Sequence, residues 1–503
     1  MISIWRLTRR RACESSMVPV TEIVEGLQMS PLEILLVLGA VALVLARWLP
    51  PAARRPLTFG AVAAVVLSGM VLGVVGLRWQ LVPVLVGAAV VLPFAVAPLL
   101  PPRGGRSPRR ARWWLALPGS ALCLGLIASG PAAAWALPRP VFPEPSGNSA
   151  VGTSVVQWTD PARAETATAD PRDRRTVVVQ LWYPARQSPA GAQRAPYLGR
   201  TQGEARTVSD ALARYVGVPG FLLDGLPRVR THAVPDAPPA PGRELFPVVL
   251  FSPGAGGVRT QNTAWAEELA SHGYVVAALD HPYDSAAVVL TNGHTIDTRL
   301  AATDDQAEGE KQAAEATGIR ATDLSFVLTQ LNRVEHGQIP GPLTGRLDTA
   351  RVAVTGHSFG GSAALQAAHQ DPRFAAVIDM DGYSHDPTPR PYHQPALALT
   401  STIGKPSPDY IPRLAKVLSL STKTSYLLTV PGAAHLTFTD APLYLPPVPS
   451  IVGSLGRTGG PRVTAGACIA FLDHALRGKP GDMADTLSSY GDLNIVQPDS
   501  RRQ

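Results

Sequence analysis

Four long apolar blocks dominate the amino-terminal part of the chain. Each has 18 to 24 residues with almost no charge, and they cover Leu32–Leu49, Leu57–Leu77, Leu81–Leu100 and Trp114–Leu137. A helix rises 1.5 Å per residue, so about 20 apolar residues cross a bilayer core of about 30 Å. A signal peptide needs only one such block. We therefore expect a transmembrane region of about four helices over 30–137. It follows an amino-terminal tail (1–29), part or all of which is not translated if Met17 or Met29 is the true start.

Arginines between the blocks predict the orientation of this region. The first loop carries Arg54 and Arg55, and the second carries only Arg78. The third loop is the most basic, with Arg103, Arg106, Arg109, Arg110 and Arg112. Cytoplasmic loops are enriched in Arg and Lys, so the first and third loops should be cytoplasmic and both termini should lie outside. A basic cluster at residues 6–11 opposes this, but it lies about twenty residues before the first block.

A Pro-rich linker (138–150) separates the blocks from a region of alternating strand and helix patterns. Short β-branched or apolar runs predict strands at Val177–Trp182, Val248–Ser252, Tyr274–Leu279, Arg351–Thr355, Ala375–Met380, Ala396–Thr400 and Tyr426–Val430. Helical patterns lie between or after them at Gln261–Ser271, Glu308–Asn332, Gly361–His369 and Val463–Arg477. Strands alternating with helices indicate a mostly parallel, doubly wound α/β sheet. We expect one catalytic domain over 151–485 and a carboxy-terminal tail over 486–503.

Charge and cysteine content exclude several classes of protein. The net charge is +7, but residues 1–140 carry 14 arginines against 4 glutamates, so the remainder is slightly acidic. No basic groove for nucleic acid is therefore expected. The three cysteines are Cys13, Cys123 and Cys468, and no Cys/His pattern has zinc spacing. We expect no metal and no cofactor.

The motif Gly356-His357-Ser358-Phe359-Gly360 is the strongest chemical signal in the chain. It follows the strand Arg351–Thr355 and precedes a helix of small residues. This strand–turn–helix context is what a nucleophile elbow requires, because the serine must stand on a sharp turn at the end of a strand. Glycines on both sides let the neighbouring backbones approach closely. The pattern predicts Ser358 as a nucleophile.

A serine nucleophile needs a base and an acid that orients the base. In the α/β-hydrolase fold the chain order is Ser, then Asp or Glu, then His. His435 follows the strand Tyr426–Val430, and Asp381 follows the strand Ala375–Met380. The sequence therefore favours a triad of Ser358, Asp381 and His435.

Other residues compete for the roles of acid and base. Asp379 lies inside the strand two residues before Asp381, and Asp409 follows the next strand, where many enzymes of this fold place the acid. His281 and His385 are the main rivals of His435. For His281 we favour a structural role through a bond to the backbone.

A tetrahedral intermediate also needs preset backbone donors for its oxyanion. One is expected to be the N–H of Phe359, which directly follows the nucleophile. The loop Pro253–Gly257 follows the strand Val248–Ser252, and its glycines permit a tight turn, so the N–H of Ala255 is the second candidate. An ordinary flexible turn is the alternative interpretation. A phosphate-binding loop is disfavoured because no Lys follows and the glycine spacing does not match.

Residues 153–477 resemble the plasma-type (type II) platelet-activating-factor acetylhydrolases and their bacterial relatives. The shared segments are LWYPA (181–185), FPVVLFSPGAGGVRT (246–260), DHPYDSA (280–286), GHSFGG (356–361), DMDG (379–382) and HLTFTD (435–440). The resemblance implies an α/β-hydrolase with Ser358, Asp381 and His435 as triad and Ala255 and Phe359 as oxyanion donors. It also implies calcium-independent cleavage of short or oxidised acyl chains from phospholipids, or a general short-chain esterase. Pro253 departs from the family, which usually has His there.

We therefore expect a membrane-anchored serine hydrolase of carboxylic esters with a small-molecule or lipid ester as substrate. The alternatives are a peptidase or acyltransferase using the same triad, and a non-enzymatic membrane receptor with a hydrolase-like binding domain. Arg outnumbers Lys 40 to 5, which is typical of a high-GC bacterial genome, so we expect a bacterial plasma membrane. The arginines between the apolar blocks favour an outer position for the catalytic domain. The apolar stretch 441–452 is interpreted as a lid, an acyl-binding wall or a buried loop, and 211–226 as a cap over the pocket.

Overall fold

The computed structural model describes residues 23–24, 26–99, 113–189, 191–300, 306–404 and 408–498. The chain forms two compact units, which we call the helical unit (Met1–Arg139) and the sheet unit (Pro140–Gln503). Most of the expected tail 1–29 and all five arginines of the third loop lie outside the described residues.

The helical unit consists of four apolar helices. They are α1 (Pro31–Ala46), α2 (Pro51–Val75), α3 (Val82–Val96) and α4 (Trp113–Ala136). Ser30 and Glu33 form a reciprocal capping box that starts α1 by satisfying its free backbone donors. Small residues allow close packing: a Cβ added to Gly130 of α4 would lie 2.4 Å from Val84 Cγ2 of α3.

Three of the helical segments are long and apolar enough to cross a membrane. They are Pro51–Val75, Trp79–Leu99, which includes the short 3₁₀ turns flanking α3, and Ala116–Ala136 within α4. α1 is apolar but has 16 residues, or about 24 Å of helix, and this is shorter than a bilayer core. The sequence predicted about four spans. Within the described residues three helical segments are long enough to span a membrane, and α1 is an additional, shorter helix.

The sheet unit is built on a ten-stranded sheet in the order β12-β11-β10-β9-β8-β4-β5-β2-β1-β3. Its strands are β1 (Ala150–Ala164), β2 (Arg174–Ala185), β3 (Val234–Pro235), β4 (Phe246–Ser252), β5 (Val275–Asp280), β8 (Leu347–His357), β9 (Ala376–Met380), β10 (Ala396–Ile403), β11 (Ser425–Ala434) and β12 (Asp492–Val496). β6 (Ala287–Val289) and β7 (Thr295–Asp297) form a separate hairpin. The strands from β5 through β4, β8, β9 and β10 to β11 are parallel, and β1, β2 and β12 add antiparallel edges.

Helices cover both faces of this sheet. They are α5 (Gln202–Val216), α6 (Thr263–Ser271), α7 (Gln306–Glu335), α8 (Phe359–Gln370), α9 (Tyr410–Leu418), α10 (Pro449–Val452), α11 (Gly456–Arg477) and α12 (Met483–Ser488). Side chains alternate across a strand, so Val352 and Val354 of β8 enter one core while Ala353 enters the other. The expected doubly wound α/β fold is confirmed, and its seven predicted strands correspond to β2, β4, β5 and β8–β11.

Two predicted boundaries are revised by the structure. The expected tail 486–503 contains β12, which pairs antiparallel with β11. β12 is an edge strand with exposed and half-buried residues, so its hydrophobic signal is weak. The expected linker 138–150 largely belongs to the sheet unit. Phe142 is buried against Tyr197 at a ring-centroid distance of 4.9 Å, and the N–H of Ser146 donates to Glu268 at 2.8 Å.

Candidate active site

Ser358 occupies a sharp turn between β8 and α8. Its backbone has φ 55° and ψ −121°, a conformation that non-glycine residues rarely adopt. Such strain costs about 1–3 kcal/mol and persists only where the surroundings enforce it. Here the N–H of Ser358 donates to the carbonyl of Met380 at the end of β9 at 2.8 Å. The turn is therefore held between two neighbouring strands.

The glycines around Ser358 are required by backbone contacts rather than by flexibility. A Cβ added to Gly356 would lie 2.1 Å from the carbonyl carbon of Gly360, and one added to Gly360 would lie 2.0 Å from the carbonyl oxygen of Ser252. β8, α8 and the end of β4 thus approach so closely that no side chain fits between them. This geometry explains the spacing of glycines in the motif.

A chain of two hydrogen bonds connects Ser358 to an acid through His435. His435 Nε2 lies 2.9 Å from Ser358 Oγ, and His435 Nδ1 lies 2.8 Å from Asp381 Oδ2. The His435 ring is about half exposed, whereas the Asp381 carboxylate is buried. The structure therefore brings together the three residues that the sequence singled out, in the arrangement of a nucleophile, a base and an orienting acid.

The environment of Asp381 keeps its carboxylate charged. Burial alone raises the pKa of Asp381, but the hydrogen bond and charge of His435, together with the amide of Ser401, hold that pKa below its ordinary value. Ser401 donates twice, from its N–H to Oδ1 at 2.8 Å and from its hydroxyl to Oδ2 at 3.0 Å. Ser401 ends the core of the next strand, β10, and no sequence motif pointed to it.

The rival acids Asp379 and Asp409 have other partners. Asp379 accepts the N–H of Gly382 at 2.9 Å, and burial followed by the charge of Asp381 raises its pKa well above the ordinary value. Its carboxyl is thus bonded to the backbone of Gly382 rather than to His435. Asp409 lies at the start of α9, exposed, with Arg413 Nη1 at 3.9 Å.

The rival base His281 belongs to a second Ser–His–Asp arrangement that is closed to solvent. Its Nε2 lies 2.9 Å from Ser252 Oγ and its Nδ1 lies 2.8 Å from Asp323 Oδ2. All three residues have 0% exposure, so no substrate can reach that serine. His281 has a structural role, but its ring bonds to side chains rather than to the backbone. The other rival, His385, has Nδ1 3.2 Å from Glu310.

The two expected oxyanion donors lie on one cavity beside Ser358. A Cβ added to Gly254 would lie 3.5 Å from Ser358 Cβ, so the loop Pro253–Gly257 abuts the nucleophile. In the described part of the chain, neither the N–H of Ala255 nor that of Phe359 has a protein acceptor. Both residues line a cavity of about 860 Å³. Two free backbone donors next to a serine can stabilise a tetrahedral oxyanion.

His357 and Gln261 connect the loop Pro253–Gly257, which we call the oxyanion loop, to the backbone of His435. Gln261 Oε1 accepts the N–H of Gly254 at 3.1 Å, and its Nε2 lies 3.0 Å from His357 Nδ1. His357 Nε2 in turn lies 3.0 Å from the carbonyl of His435. Burial, with a further contribution from His435, lowers the pKa of His357 to about 3. His357 is thus neutral, and its single N–H is directed to the His435 carbonyl.

The cavity wall is formed in part by the segment that the sequence suggested as a cap. Ala211, Arg214 and Tyr215 of α5 line it together with the expected oxyanion donors. The stretch 441–452 has no residue in the lining described here. Its beginning, Ala441–Leu443, is a buried 3₁₀ turn, so the interpretation as a buried loop fits this part best. Among the described residues no group of three or more His, Cys, Asp or Glu side chains is arranged to hold a metal.

Comparisons with known proteins agree with this geometry. A family model for platelet-activating factor acetylhydrolase, isoform II, matches residues 137–477. Platelet-activating factor acetylhydrolase of Canis lupus familiaris is 26% identical over 318 residues, covering 57% of this chain and 70% of the canine protein. The Bos taurus protein of the same name is 27% identical over 290 residues, covering 50% of this chain and 62% of the bovine protein.

A solved structure of a ferulic acid esterase from Streptomyces cinnamoneus is similar in fold. It superposes with a TM-score of 0.56 at 29% sequence identity, over 70% of this chain and 98% of that chain. The family match over residues 137–477 contains every candidate residue described above.

Proposed function

The chain belongs to the platelet-activating factor acetylhydrolase, isoform II, family and is an ester hydrolase of the α/β-hydrolase type, and we propose that Ser358, His435 and Asp381 are its catalytic triad. The observation that carries the proposal is the pair of contacts at 2.9 and 2.8 Å that joins the three side chains. Ala255 and Phe359 supply the oxyanion donors. The canine relative, named as an acetylhydrolase, and the similar structure, named as a ferulic acid esterase, support the same reaction class.

In the proposed acylation step, Ser358 Oγ attacks the ester carbonyl carbon while His435 Nε2 takes the hydroxyl proton. The carbonyl π bond opens, and the resulting oxyanion is held by the N–H groups of Ala255 and Phe359. Asp381 stabilises the imidazolium through Nδ1. When the oxyanion collapses, the bond to the leaving alcohol breaks, and that alcohol takes the proton from His435. An acyl group is then bound to Ser358.

Deacylation repeats the sequence with water as the nucleophile. Water attacks the acyl carbon as His435 Nε2 takes one of its protons, and the same two backbone donors hold the second oxyanion. Collapse breaks the bond to Ser358 Oγ, which recovers its proton from His435, and a carboxylic acid leaves. The half-exposed position of the His435 ring supports this step, because water reaches the base directly.

We further propose that the substrate is a short-chain acyl ester, with phospholipid sn-2 acyl groups as a candidate class. The cavity of about 860 Å³ supports a small acyl ester with a larger alcohol portion, since pockets for small molecules commonly measure about 300–1,000 Å³. The canine and bovine relatives are named for platelet-activating factor. Rates on a series of esters of increasing acyl length will show which acyl chain is preferred.

For localisation we propose a bacterial plasma membrane with the catalytic residues on the outer side. The three long apolar helices support membrane anchoring. The arginine-rich third loop precedes the last of them, so a cytoplasmic position of that loop brings the following residues outside. This argument depends on α4 alone and is the same whether or not α1 spans the bilayer.

The test uses the full chain in detergent and p-nitrophenyl esters of increasing acyl length. We expect hydrolysis of the acetate and butyrate, falling to background in Ser358→Ala. The matched control is Ser419→Ala, because the Ser419 hydroxyl bonds only the carbonyl of Lys416 at the end of α9. A fluorophosphonate probe should label wild type and the control but not Ser358→Ala. Equal rates in wild type and Ser358→Ala would exclude the proposed nucleophile.

An added alcohol separates hydrolysis from acyl transfer, and a peptide series separates it from peptidase activity. Faster ester consumption with an alcohol acceptor would indicate an acyltransferase. Absence of both labelling and turnover would favour the non-enzymatic receptor.

A further inference from the structure

A buried arginine on α7 contacts the oxyanion loop through its backbone. Arg320 has 0% exposure, and its Nη2 donates to the carbonyl of Gly254 at 3.0 Å. Its Nη1 donates to the carbonyl of Pro253 and to Ser252 Oγ, the latter at 3.3 Å. The catalytic scheme proposed above does not use this residue, although its guanidinium lies directly behind one of the oxyanion donors.

The contact with Gly254 determines where the N–H of Ala255 points. The carbonyl of Gly254 and the N–H of Ala255 belong to one peptide unit, which is planar and trans. In such a unit the C=O and N–H bonds point in opposite directions. Because Arg320 holds the carbonyl oxygen on one side, the N–H of Ala255 is directed to the other side. The N–H of Gly257 donates to the same carbonyl at 2.9 Å and reinforces this orientation.

The same guanidinium also contacts the residue that supplies the other donor. Arg320 Cζ lies 4.9 Å from the centre of the Phe359 ring, which is within the range of a cation–π contact. One cation therefore touches both residues of the expected oxyanion hole, Ala255 through its peptide unit and Phe359 through its ring.

The position of Arg320 is itself secured by paired charges. Its Nε and Nη2 bond the two oxygens of Asp284, with Nε at 2.6 Å from Oδ2. Ser252, which Arg320 also contacts, is held by His281 and through it by Asp323. The closed arrangement of Ser252, His281 and Asp323 thus helps to hold Arg320 in place, and Arg320 in turn holds the oxyanion loop.

We propose that Arg320 is a positioning residue that presets the oxyanion hole by fixing the peptide between Gly254 and Ala255. The inference rests on the proposed function. Proline at 253 has no N–H with which to anchor the loop, and Arg320 anchors the loop through the carbonyls of Pro253 and Gly254.

The test compares the full chain with two variants at this position. Arg320→Lys keeps the charge but loses the planar fork that reaches two carbonyls and Asp284 together. The double variant Arg320→Met/Asp284→Asn removes the buried pair as a whole, so that no unpaired buried charge remains. The matched control is Arg259→Met/Asp280→Asn. That pair is equally buried, and among the described bonds none joins Arg259 to the carbonyls of Pro253 or Gly254. Arg259 also bonds Glu204, which keeps its ion pair with Arg200 in the control.

Four quantities are measured on each folded protein: kcat, KM, and the inhibition constants of an alkyl trifluoromethyl ketone and of its methyl ketone analogue. The fluorinated ketone forms a tetrahedral adduct with an oxyanion, whereas the methyl ketone reports ground-state binding. We expect kcat/KM to fall by about 10²-fold, the scale for losing one oxyanion donor. Affinity for the fluorinated ketone should fall by the same factor. KM and methyl ketone affinity should stay within about threefold.

The control variant should retain both ketone affinities and kcat. Folded Arg320 variants that match wild type in fluorinated ketone affinity would overturn the proposal. So would a parallel loss of affinity for both ketones, which indicates general damage to the cavity, or an equal loss in the control. If neither Arg320 variant folds while the control does, Arg320 is a folding residue and the proposal fails. An inactive wild type contradicts the proposed function instead, which separates the two failures.

Discussion

The carboxylate of Asp381 lies 2.8 Å from Nδ1 of His435, although the two residues are 54 positions apart and on loops after non-adjacent strands. Asp381 follows β9, which lies next to β8, the strand of the proposed nucleophile, and His435 follows β11. The proposed acid therefore comes one strand earlier than in many enzymes of this fold. The carboxyl ends of parallel strands meet at one edge of the sheet, so the two side chains meet across β10.

We predict that Asp381→Asn lowers kcat far more than Asp379→Asn does. Asn at 381 no longer stabilises the imidazolium and can orient the wrong tautomer of His435, so kcat should fall by about 10³–10⁴-fold. Burial favours the neutral form of Asp379 by raising its pKa, and Asn keeps the acceptor for Gly382, so kcat of Asp379→Asn should stay within about threefold. Steady-state kinetics on a short acyl ester checks both. The reverse ranking would make Asp379 the acid.

Gly360 and Gly318 both lie in helices, and replacing each by alanine should change the stability of the protein in opposite directions. At Gly360 the new Cβ would lie 2.0 Å from a backbone oxygen of β4, which should cost about 1–3 kcal/mol and displace Ser358. We expect kcat/KM to fall by about 10²-fold.

Gly318 of α7 is the control for this change. A Cβ there makes an ordinary contact at 3.5 Å, so the better helix propensity of alanine should raise stability by up to about 1 kcal/mol. Thermal unfolding and kinetics measure both effects. A fully active Gly360→Ala variant would contradict the close contact.

Acid should destabilise the wild type more than a His357→Gln variant. The unfolded chain protonates this histidine below about pH 6.5, whereas the folded protein does so only near its pKa of about 3. Between these values the unfolded state binds more protons, so stability falls as pH falls.

The difference in unfolding free energy between wild type and His357→Gln should be constant above pH 6.5. Below it, the wild type should lose up to about 1.4 kcal/mol per pH unit relative to the variant. Urea titrations of the detergent-solubilised chain at several pH values measure this slope. If the unfolding free energies of the two proteins changed in parallel with pH, folding would not lower the pKa of His357.

A reporter that is active only outside the cytoplasm should be active when fused after Gln503. The reason is the arginine-rich third loop, which should stay inside while α4 carries the following residues outward. The same reporter inserted after Arg110 in that loop is the control and should be silent. An active loop fusion with a silent carboxy-terminal fusion would reverse the proposed orientation.

Much of the sheet unit was predictable because its strands are buried on both faces. Such strands are continuous apolar runs, and β4, β5, β8, β9, β10 and β11 all stood out for this reason. β1, whose outer side is paired only with the two-residue β3, and the edge strand β12 did not, because their residues are only partly buried. Residues 138–150 gave no such signal either: Pro-rich segments lack periodicity whether they are free or, as around Ser146, bonded to a helix.

The sequence by itself determined the local chemistry: a serine on a glycine-flanked elbow, a later aspartate and histidine in the right order, and a glycine-rich loop after an earlier strand. These are signals carried by near neighbours in the chain. Only the tertiary structure placed Asp381 rather than Asp379 beside His435, closed the second Ser–His–Asp arrangement to solvent, and brought Ser401, Gln261 and Arg320 to the site. The contacts of these residues join strands and helices that are far apart in sequence. A hydrogen bond forms between groups that are close in space, and neither periodicity nor neighbouring residues in a single sequence reveal which distant groups these are.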